Sequence, residues 1–226
     1  SDTAFPYMAV VNCRAHGVPA KLFRMSFSGE MAYELHVPAG YALAVWEAVM
    51  GTALYWDQRK GPNYPMYEVS HEDAVNFCTR LTELARKHVA GFEGELRLPT
   101  EAEWEYACRA GGTTAYCFGD DEGRLGEYAV YSANSGGTNQ PVKSKKPNRW
   151  GLYDMHGSVW EWCGDSYTDK LPGGENPRVS SGGSLRVLRG GGWSSSARDC
   201  RSADRNWFSP ENRGGSLGFR CAVAGW

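Results

Sequence analysis

The sequence predicts an α+β fold with two main helices, short strands and long loops. Two observations predict the helices: apolar residues recur at helical spacing over 74–85 and 104–109, and each stretch follows a capping-box pattern. A third observation predicts the loops, because 21 of the 28 glycines lie after residue 100, where their density opposes helix. The C-terminal half should therefore consist of short strands and loops held by large aromatic side chains.

The composition is that of an ordinary globular protein. The chain has 226 residues, 42% of them hydrophobic and 22% charged, and we predict a single domain over 1–226. The net charge of −2 argues against a nucleic acid or an acidic membrane as partner, since either would require a basic surface. No apolar run approaches the roughly 20 residues of a membrane span, so we expect none.

The first 50 residues are predicted to form opening strands and a first helix. A turn at Ser28-Gly29-Glu30 joins two strand-like segments, with glycine where a hairpin needs positive φ. The predicted strands are 8–11, 21–27 and 31–37, and the helix begins at Pro38 and ends at Gly51.

The two main helices begin at capping boxes. Ser70 and Asp73 form the first, and Thr100 and Glu103 form the second, which follows Pro99. Beyond Gly111 the glycine density excludes a helix of any length. The predicted later strands are 152–153, 159–162, 185–189 and 217–223.

Five motifs follow one another along the chain: Glu68–Cys78, Arg97–Cys108, Asn148–Trp162, Arg186–Trp193 and Leu217–Cys221. In this order they resemble the formylglycine-generating-enzyme/sulfatase-modifying-factor family. The resemblance covers about residues 55–226 and implies a C-type-lectin-like fold.

A different resemblance is found near the N-terminus. The segment Phe23–Tyr41 resembles the aminomethyltransferase-like domain of sarcosine oxidase large subunits. Fifty residues are too few for the folate site of that domain. We therefore favour the interpretation that they supply the opening elements of the lectin-like fold, with a functional remnant as the alternative.

The family resemblance implies a test for catalysis. Formylglycine formation in the family depends on a cysteine pair just after a Gly-Gly-Ser segment, since thiolates can bind copper or perform redox chemistry. The corresponding stretch, 192–199, holds no cysteine, and Cys200 matches a structural cysteine of the family. We therefore predict no catalytic activity and no required cofactor.

Two other enzyme classes are also disfavoured. The related sulfoxide synthases use a histidine-rich iron site, whereas no histidines pair here, and His156 is expected to make a structural hydrogen bond. The serines Ser194, Ser195 and Ser196 lack the G-x-S-x-G surroundings of a nucleophile elbow.

The resemblance also implies two disulfides, Cys78–Cys221 and Cys108–Cys200. Stable bridges would place the protein in an oxidising compartment, at the cell surface or secreted. The alternative is four buried, reduced cysteines in a cytoplasmic protein.

Family members often bind calcium through loop carbonyls and carboxylates. The matching positions here are Asn134, Gly157, Val159 and Glu161, although the family usually has asparagine where Ser158 stands. The alternative for Glu161 is a buried carboxylate paired with an arginine.

The C-terminal segment, with a variable region over 186–221, resembles the variable proteins of diversity-generating retroelements. In those proteins, mutated asparagine codons alternate with framework residues such as Arg189 and Arg205. Changing only the adenines of AAC or AAT yields eleven of the twelve residues at the intervening positions; Trp207 is the exception. The twelve are Ser194, Ser195, Ser196, Asp199, Asp204, Asn206, Trp207, Phe208, Ser209, Gly214, Gly215 and Ser216.

This pattern predicts a non-catalytic protein that binds a protein or other macromolecule through exposed loops. Trp207 and Phe208 would be rigid aromatic anchors among adaptable polar neighbours. In the alternative interpretation both rings pack inward. The competing functions are a metal-dependent oxidase of the formylglycine-generating or sulfoxide-synthase type, and a structural accessory domain.

Overall fold

The structure, a computed structural model, describes residues 8–15, 18–27, 30–36, 64–88 and 92–224. The helix predicted from Pro38 to Gly51 and the turn residues Ser28 and Gly29 lie outside this part of the chain. The described helices are α1 (His71–His88) and α2 (Glu101–Arg109). The strands are β1 (Met8–Ala15), β2 (Val18–Phe27), β3 (Glu30–His36), β4 (Glu95–Arg97), β5 (Trp160–Ser166), β6 (Arg186–Arg189), β7 (Arg205–Phe208), β8 (Leu217–Phe219) and β9 (Ala222–Ala224).

The strands form two sheets, which with the helices make the predicted α+β fold. The first sheet has the order β1-β2-β3-β9-β4, and all its pairs are antiparallel. Since β9 lies between β3 and β4, the last described strand joins the opening strands to the rest of the sheet. The second sheet has the order β7-β6-β5-β8, with β5 and β8 parallel and the other pairs antiparallel.

Both helices begin at the predicted capping boxes. Before α1, the Ser70 hydroxyl accepts a hydrogen bond from the Asp73 N–H at 3.1 Å, and the Asp73 carboxylate accepts from the Ser70 N–H at 2.9 Å. Before α2, Thr100 and Glu103 exchange the same two bonds at 3.2 and 2.8 Å. The boxes satisfy N–H groups that a helix cannot bond internally, which fixes where each helix begins.

The helices bury their apolar faces in separate clusters. The largest cluster packs α1 against β4, β5, β8 and β9 around the buried rings of Trp160 and Trp162. A second cluster surrounds Trp104 of α2, and a third surrounds Tyr116 and Leu125. No helix in the described ranges is long and apolar enough to cross a membrane.

Two strand predictions were wrong, and two strands were missed. The segment 152–153 is not a strand, because the Asn148 side chain accepts from the Trp150 and Leu152 N–H groups at 3.0 and 3.1 Å and holds a turn. The predicted strand 217–223 is divided into β8 and β9, which lie in different sheets. The short strands β4 and β7 were not predicted.

Candidate functional site

The candidate site is built on β7, the strand at one edge of the four-stranded sheet. Its Trp207 and Phe208 are 43% and 39% exposed. The alternative in which both rings pack inward is therefore wrong. Consecutive side chains of a strand point to opposite faces, so the two rings lie on opposite sides of the sheet edge.

The ring of Trp207 rests on a residue that the sequence did not indicate. Tyr167, which directly follows β5, stacks on Trp207 with ring centroids 4.3 Å apart and an interplanar angle of 28°. The Arg205 guanidinium lies 4.8 Å from the centre of the same tyrosine ring. Arg205, Tyr167 and Trp207 thus form one layered contact on one face of β7.

Arg205 fastens β7 to α2. Its Nε and Nη2 donate to the two carboxylate oxygens of the buried Glu101 at 2.5 and 2.9 Å, and its Nη1 donates to the Thr168 carbonyl at 2.9 Å. The bonds to Glu101 raise the pKa of Arg205 above its ordinary value. This two-point contact fixes the position of β7 and pairs the opposite charges of Arg205 and Glu101.

Arg189 holds the backbone that leads into β7. The side chain is fully buried, and it donates to the carbonyls of Asp204 and Ser202 at 2.5 and 2.8 Å. It also pairs with Glu105 and lies over the Trp104 ring. These contacts are made to the main chain at 202 and 204, and they do not involve the exposed Phe208 ring.

The serine loop before β7 has one inward and two outward side chains. Ser194 and Ser196 are exposed. Ser195 is buried, and its hydroxyl accepts from the Gly192 N–H at 2.9 Å. The expectation that Ser195 is an exposed binding residue was therefore wrong. The Asp199 carboxylate accepts from the Ser196 N–H and hydroxyl at 2.9 and 2.8 Å, so those two positions are coupled.

The segment 214–216 lies beside the serine loop and contributes mainly backbone. The Trp193 indole N–H donates to the Gly215 carbonyl at 3.0 Å, which joins the two segments. The Gly214 and Ser216 carbonyls accept from the N–H groups of Glu68 and Trp160 at 3.1 and 2.7 Å.

The remaining three positions, Asp204, Asn206 and Ser209, are half-buried. The Asn206 side-chain amide oxygen Oδ1 accepts from the Trp207 N–H at 2.8 Å, and the Ser209 hydroxyl donates to the Glu211 carboxylate. The Asp204 carboxylate lies 3.8 Å from Arg201, and partial burial together with nearby Asp199 raises its pKa.

The buried polar residues beneath the serine loop, His156, Cys108 and Cys200, have structural roles. His156 accepts from the Cys117 N–H at 3.1 Å through Nε2, so its Nδ1 carries the proton and donates to the Cys200 carbonyl at 2.7 Å. Burial raises the pKa of the Cys108 and Cys200 thiols to about 12. Both thiols are therefore protonated near neutral pH, which makes them poor nucleophiles and poor metal ligands.

Among the described cysteines, Cys78, Cys108, Cys117, Cys163 and Cys200 are free thiols in the structure. The Sγ atoms of Cys78 and Cys221 lie 3.6 Å apart and are in contact without a bond. The Cys108 thiol donates to the Met155 carbonyl and the Ser202 hydroxyl. The two disulfides implied by the family resemblance stay a prediction.

Two of the predicted calcium positions, Glu161 and Asn134, bond protein groups in the structure, and calcium binding stays a prediction. The Glu161 carboxylate accepts from Arg220 Nε and Nη2 at 2.5 and 2.7 Å and from the Trp104 indole at 2.7 Å, which matches the alternative stated for it. Asn134 bonds the Tyr131 N–H and the Ala129 carbonyl. Among the described residues, no three His, Cys, Asp or Glu side chains are grouped to hold a metal ion.

The turn that includes Gly157 and Val159 is fixed by its backbone. Gly157 has φ +77°, and a Cβ added there would lie 2.2 Å from the Val130 carbonyl oxygen. The next residue, Ser158, has φ +68° and donates from its N–H to the same oxygen at 2.7 Å. The Val159 side chain is buried.

Comparison with known proteins agrees with the motifs. Residues 8–224 match the family described as sulfatase-modifying factor enzyme 1-like domain. The chain is 37% identical over 182 residues to the formylglycine-generating enzyme of Streptomyces coelicolor, covering 71% of this chain and 53% of that enzyme. It is 31% identical over 191 residues to the inactive C-alpha-formylglycine-generating enzyme 2 of Mus musculus, covering 74% and 54%. The chain thus spans about half the length of these curated relatives.

Two solved structures resemble the fold over nearly its full length. Treponema denticola variable protein 1 has a TM-score of 0.79 at 26% identity, covering 96% of this chain and 99% of that protein. PvdO from Pseudomonas aeruginosa has a TM-score of 0.72 at 26% identity, covering 96% and 91%. With its C-type-lectin-like fold and its match over 8–224, the chain belongs to the sulfatase-modifying factor enzyme 1-like family.

Proposed function

We propose that the chain is a non-catalytic binding protein that recognises a protein or other macromolecule through a variable C-terminal surface. The observation that carries the proposal is the exposure of Trp207 and Phe208 on an edge strand. Buried Arg189 and half-buried Arg205 hold the backbone of that strand, as a surface tolerant of sequence change requires. The structural similarity to Treponema denticola variable protein 1 supports the same interpretation.

We assign binding to those of the twelve positions whose side chains are exposed. Exposed side chains contribute most to recognition, and here these are Ser194, Ser196, Trp207 and Phe208. The Ser195 hydroxyl bonds the backbone of its own turn, and residues 214–216 accept hydrogen bonds through their carbonyl oxygens. The partner would contact both sides of β7, because its two aromatic rings lie on opposite faces.

Trp207 fits best as a fixed platform rather than a mutated position. Its codon departs from the adenine-only pattern, and its ring is layered on Tyr167 and Arg205. Phe208, whose residue type obeys the codon pattern, would then be the variable aromatic anchor beside a constant one.

The genomic locus gives the first test. We expect a near-identical copy of the sequence encoding 186–221, differing only at adenines, beside a reverse-transcriptase gene. That copy should carry a tryptophan codon at position 207 and asparagine codons at 194, 196 and 208. Absence of such a repeat would remove the diversification proposal.

Binding gives the second test. A partner captured by the native protein should be lost or weakened at least tenfold by Phe208→Ala, with a smaller loss for Ser194→Ala. Val75→Ala is the matched control, since Val75 is 40% exposed but lies on α1. A partner that binds the Phe208 and Val75 variants equally well would contradict the assigned surface.

A metal-dependent oxidase is the second candidate, favoured by the 37% identity to the Streptomyces coelicolor enzyme. Against it, residues 192–199 hold no cysteine, and the Cys108 and Cys200 thiols are protonated at neutral pH. The test is metal analysis after growth with copper or iron, followed by oxygen uptake with a cysteine-containing peptide. Stoichiometric metal with substrate-dependent uptake would replace the binding proposal.

A further inference from the structure

A cleft of about 600 Å³ lies at the C-terminal end of α2, away from the twelve positions discussed above. The turn after the helix, the segment 117–128 and the turn at 147–149 enclose it. The residues that the argument uses are Gly111, Cys117, Phe118, Arg124, Tyr128 and Arg149. A cleft of this size accommodates a small organic molecule.

The charged residues lining the cleft are both arginines. Arg149 is exposed, donates one hydrogen bond to the Ala110 carbonyl at 3.2 Å, and forms no ion pair with an acid in the described ranges. Arg124 pairs with Glu127 at 3.3 Å, but the same carboxylate is shared with Lys146 at 2.9 Å. Two cations therefore share one carboxylate, and Arg149 adds a positive charge that no acid in the described part of the chain pairs, which leaves an excess of positive charge at the cleft.

The nearest acids in sequence do not offset this charge from within the cleft. The Asp120 carboxylate accepts from the Ala115 N–H at 2.8 Å, and the Asp121 carboxylate accepts from the Gly123 N–H at 3.0 Å. Both serve local turns, and neither lines the cleft.

The aromatic residues beside the cleft also favour an anionic ligand. Phe118 is stacked between Tyr116 and Tyr128, with centroid distances of 5.1 and 4.4 Å and interplanar angles of 3° and 17°. The Arg124 guanidinium lies 5.6 and 5.9 Å from the centres of the Phe118 and Tyr128 rings. These two rings therefore hold this cation at the cleft, where it can meet an anion.

We propose that this cleft binds a small organic anion whose carboxylate or phosphate group lies between Arg124 and Arg149. Guanidinium groups suit both groups, because their planar donors match the oxygens of either. The proposal is independent of the binding surface on β7, since the cleft includes none of its residues.

Cys117 provides a reporter inside the cleft, because it is a half-buried free thiol in the lining. The experiment compares its reaction rates with an anionic aromatic disulfide, dithiobis(nitrobenzoate), and a neutral one, dithiodipyridine. Cys117→Ser identifies the kinetic phase that belongs to this thiol. We expect the ratio of anionic to neutral rates to fall about fivefold in Arg124→Gln/Arg149→Gln and to fall with added salt in the native protein.

Arg178→Gln is the matched control, because it removes one exposed positive charge outside the cleft. Calorimetry supplies an independent readout with phenyl phosphate and benzoate, whose relative affinities distinguish a phosphate from a carboxylate ligand. We expect the double variant to bind the tighter probe about tenfold more weakly than the native protein, with thermal unfolding unchanged. Equal binding by both proteins, or an equal drop in the rate ratio for Arg178→Gln, would overturn the proposal.

Discussion

Trp207 and Phe208 are adjacent in β7, yet their surroundings give them different roles. The Trp207 ring is layered on Tyr167, whereas the exposed Phe208 ring points to the other face of the strand. The tryptophan therefore contributes to the fold as well as to the surface.

Alanine substitution should separate these roles. Trp207→Ala removes the stack on Tyr167 and should lower the free energy of unfolding by about 1 kcal/mol. Phe208→Ala should lower it by less than about 0.5 kcal/mol, as for most surface changes. Urea unfolding of the two variants, with Val75→Ala as reference, measures both values. An equal loss for the two aromatic variants would show that Phe208 is also structural.

A second residue-scale prediction concerns pH. Burial acts to raise the pKa of Glu103, but hydrogen bonds and charge from Arg97, together with the Thr100 N–H, hold it below its ordinary value of 4.5. A carboxyl group whose pKa is lowered by folding stabilises the protein above its unfolded pKa, and this contribution disappears as the pH falls through the folded pKa. The native protein should therefore lose stability on acidification below pH 4.5 partly through this group.

Glu103→Gln isolates that contribution. The variant should be less stable than the native protein near neutral pH, by about 1–2 kcal/mol for a partly buried pair and cap. The difference should shrink as the pH falls below about 4. Urea unfolding at several pH values measures it, and a difference independent of pH would contradict the assigned ionic role.

At the scale of elements, the helix starts were predictable because capping boxes are local. Ser70 with Asp73, and Thr100 with Glu103, satisfy one another within three residues of sequence. The strand β7 was missed because four residues carry too little pattern, and its place depends on Arg205 reaching Glu101, 104 residues away. The strand predicted at 152–153 is absent for a similar reason, because the Asn148 side chain bonds the backbone N–H groups of Trp150 and Leu152.

In the turn before β5, the backbone of Gly157 lies close to that of Val130, and a substitution can test this contact. Gly157→Ala would place a Cβ 2.2 Å from the Val130 carbonyl oxygen and would also adopt φ +77°. Gly136 has φ +65° with nothing within 4 Å of an added Cβ, so Gly136→Ala carries the backbone cost alone. We expect losses of at least about 3 kcal/mol for Gly157→Ala and about 1 kcal/mol for Gly136→Ala. Similar losses in denaturant unfolding would refute the steric explanation.

At the scale of the whole molecule, the sequence identified the segment that we propose for binding but not the residues that support it. Trp207, Phe208 and the framework arginines could be named from the resemblance to retroelement variable proteins. Tyr167 could not be named, because its contact with Trp207 depends on β5, β6 and β7 being adjacent in the sheet. The inward side chain of Ser195 was missed because three consecutive serines have the same chemistry and differ only in direction.

The cysteines give a prediction about the whole chain, because each expected bridge would join an early helix to the C-terminal segment. Cys78 and Cys221 are already in contact, at 3.6 Å, and Cys221 is half-buried. Burial raises the pKa of the Cys108 and Cys200 thiols to about 12, so almost none of either is the reactive thiolate. Mild oxidation of the folded protein should therefore form the Cys78–Cys221 bridge first, whereas Cys108–Cys200 should form only when oxidant is present during refolding.

The chain-entropy description assigns about 4–5 kcal/mol to a closed loop of this length, less any strain in the native state. The oxidised protein should gain a corresponding free energy of unfolding that a reducing agent removes. Mass spectrometry of alkylated fragments identifies the bridge, and Cys221→Ser is the matched control that should neither form it nor gain stability. If Cys108 and Cys200 oxidise as fast as Cys78 and Cys221 in the folded protein, their burial does not protect them, and the local structure around His156 must open readily.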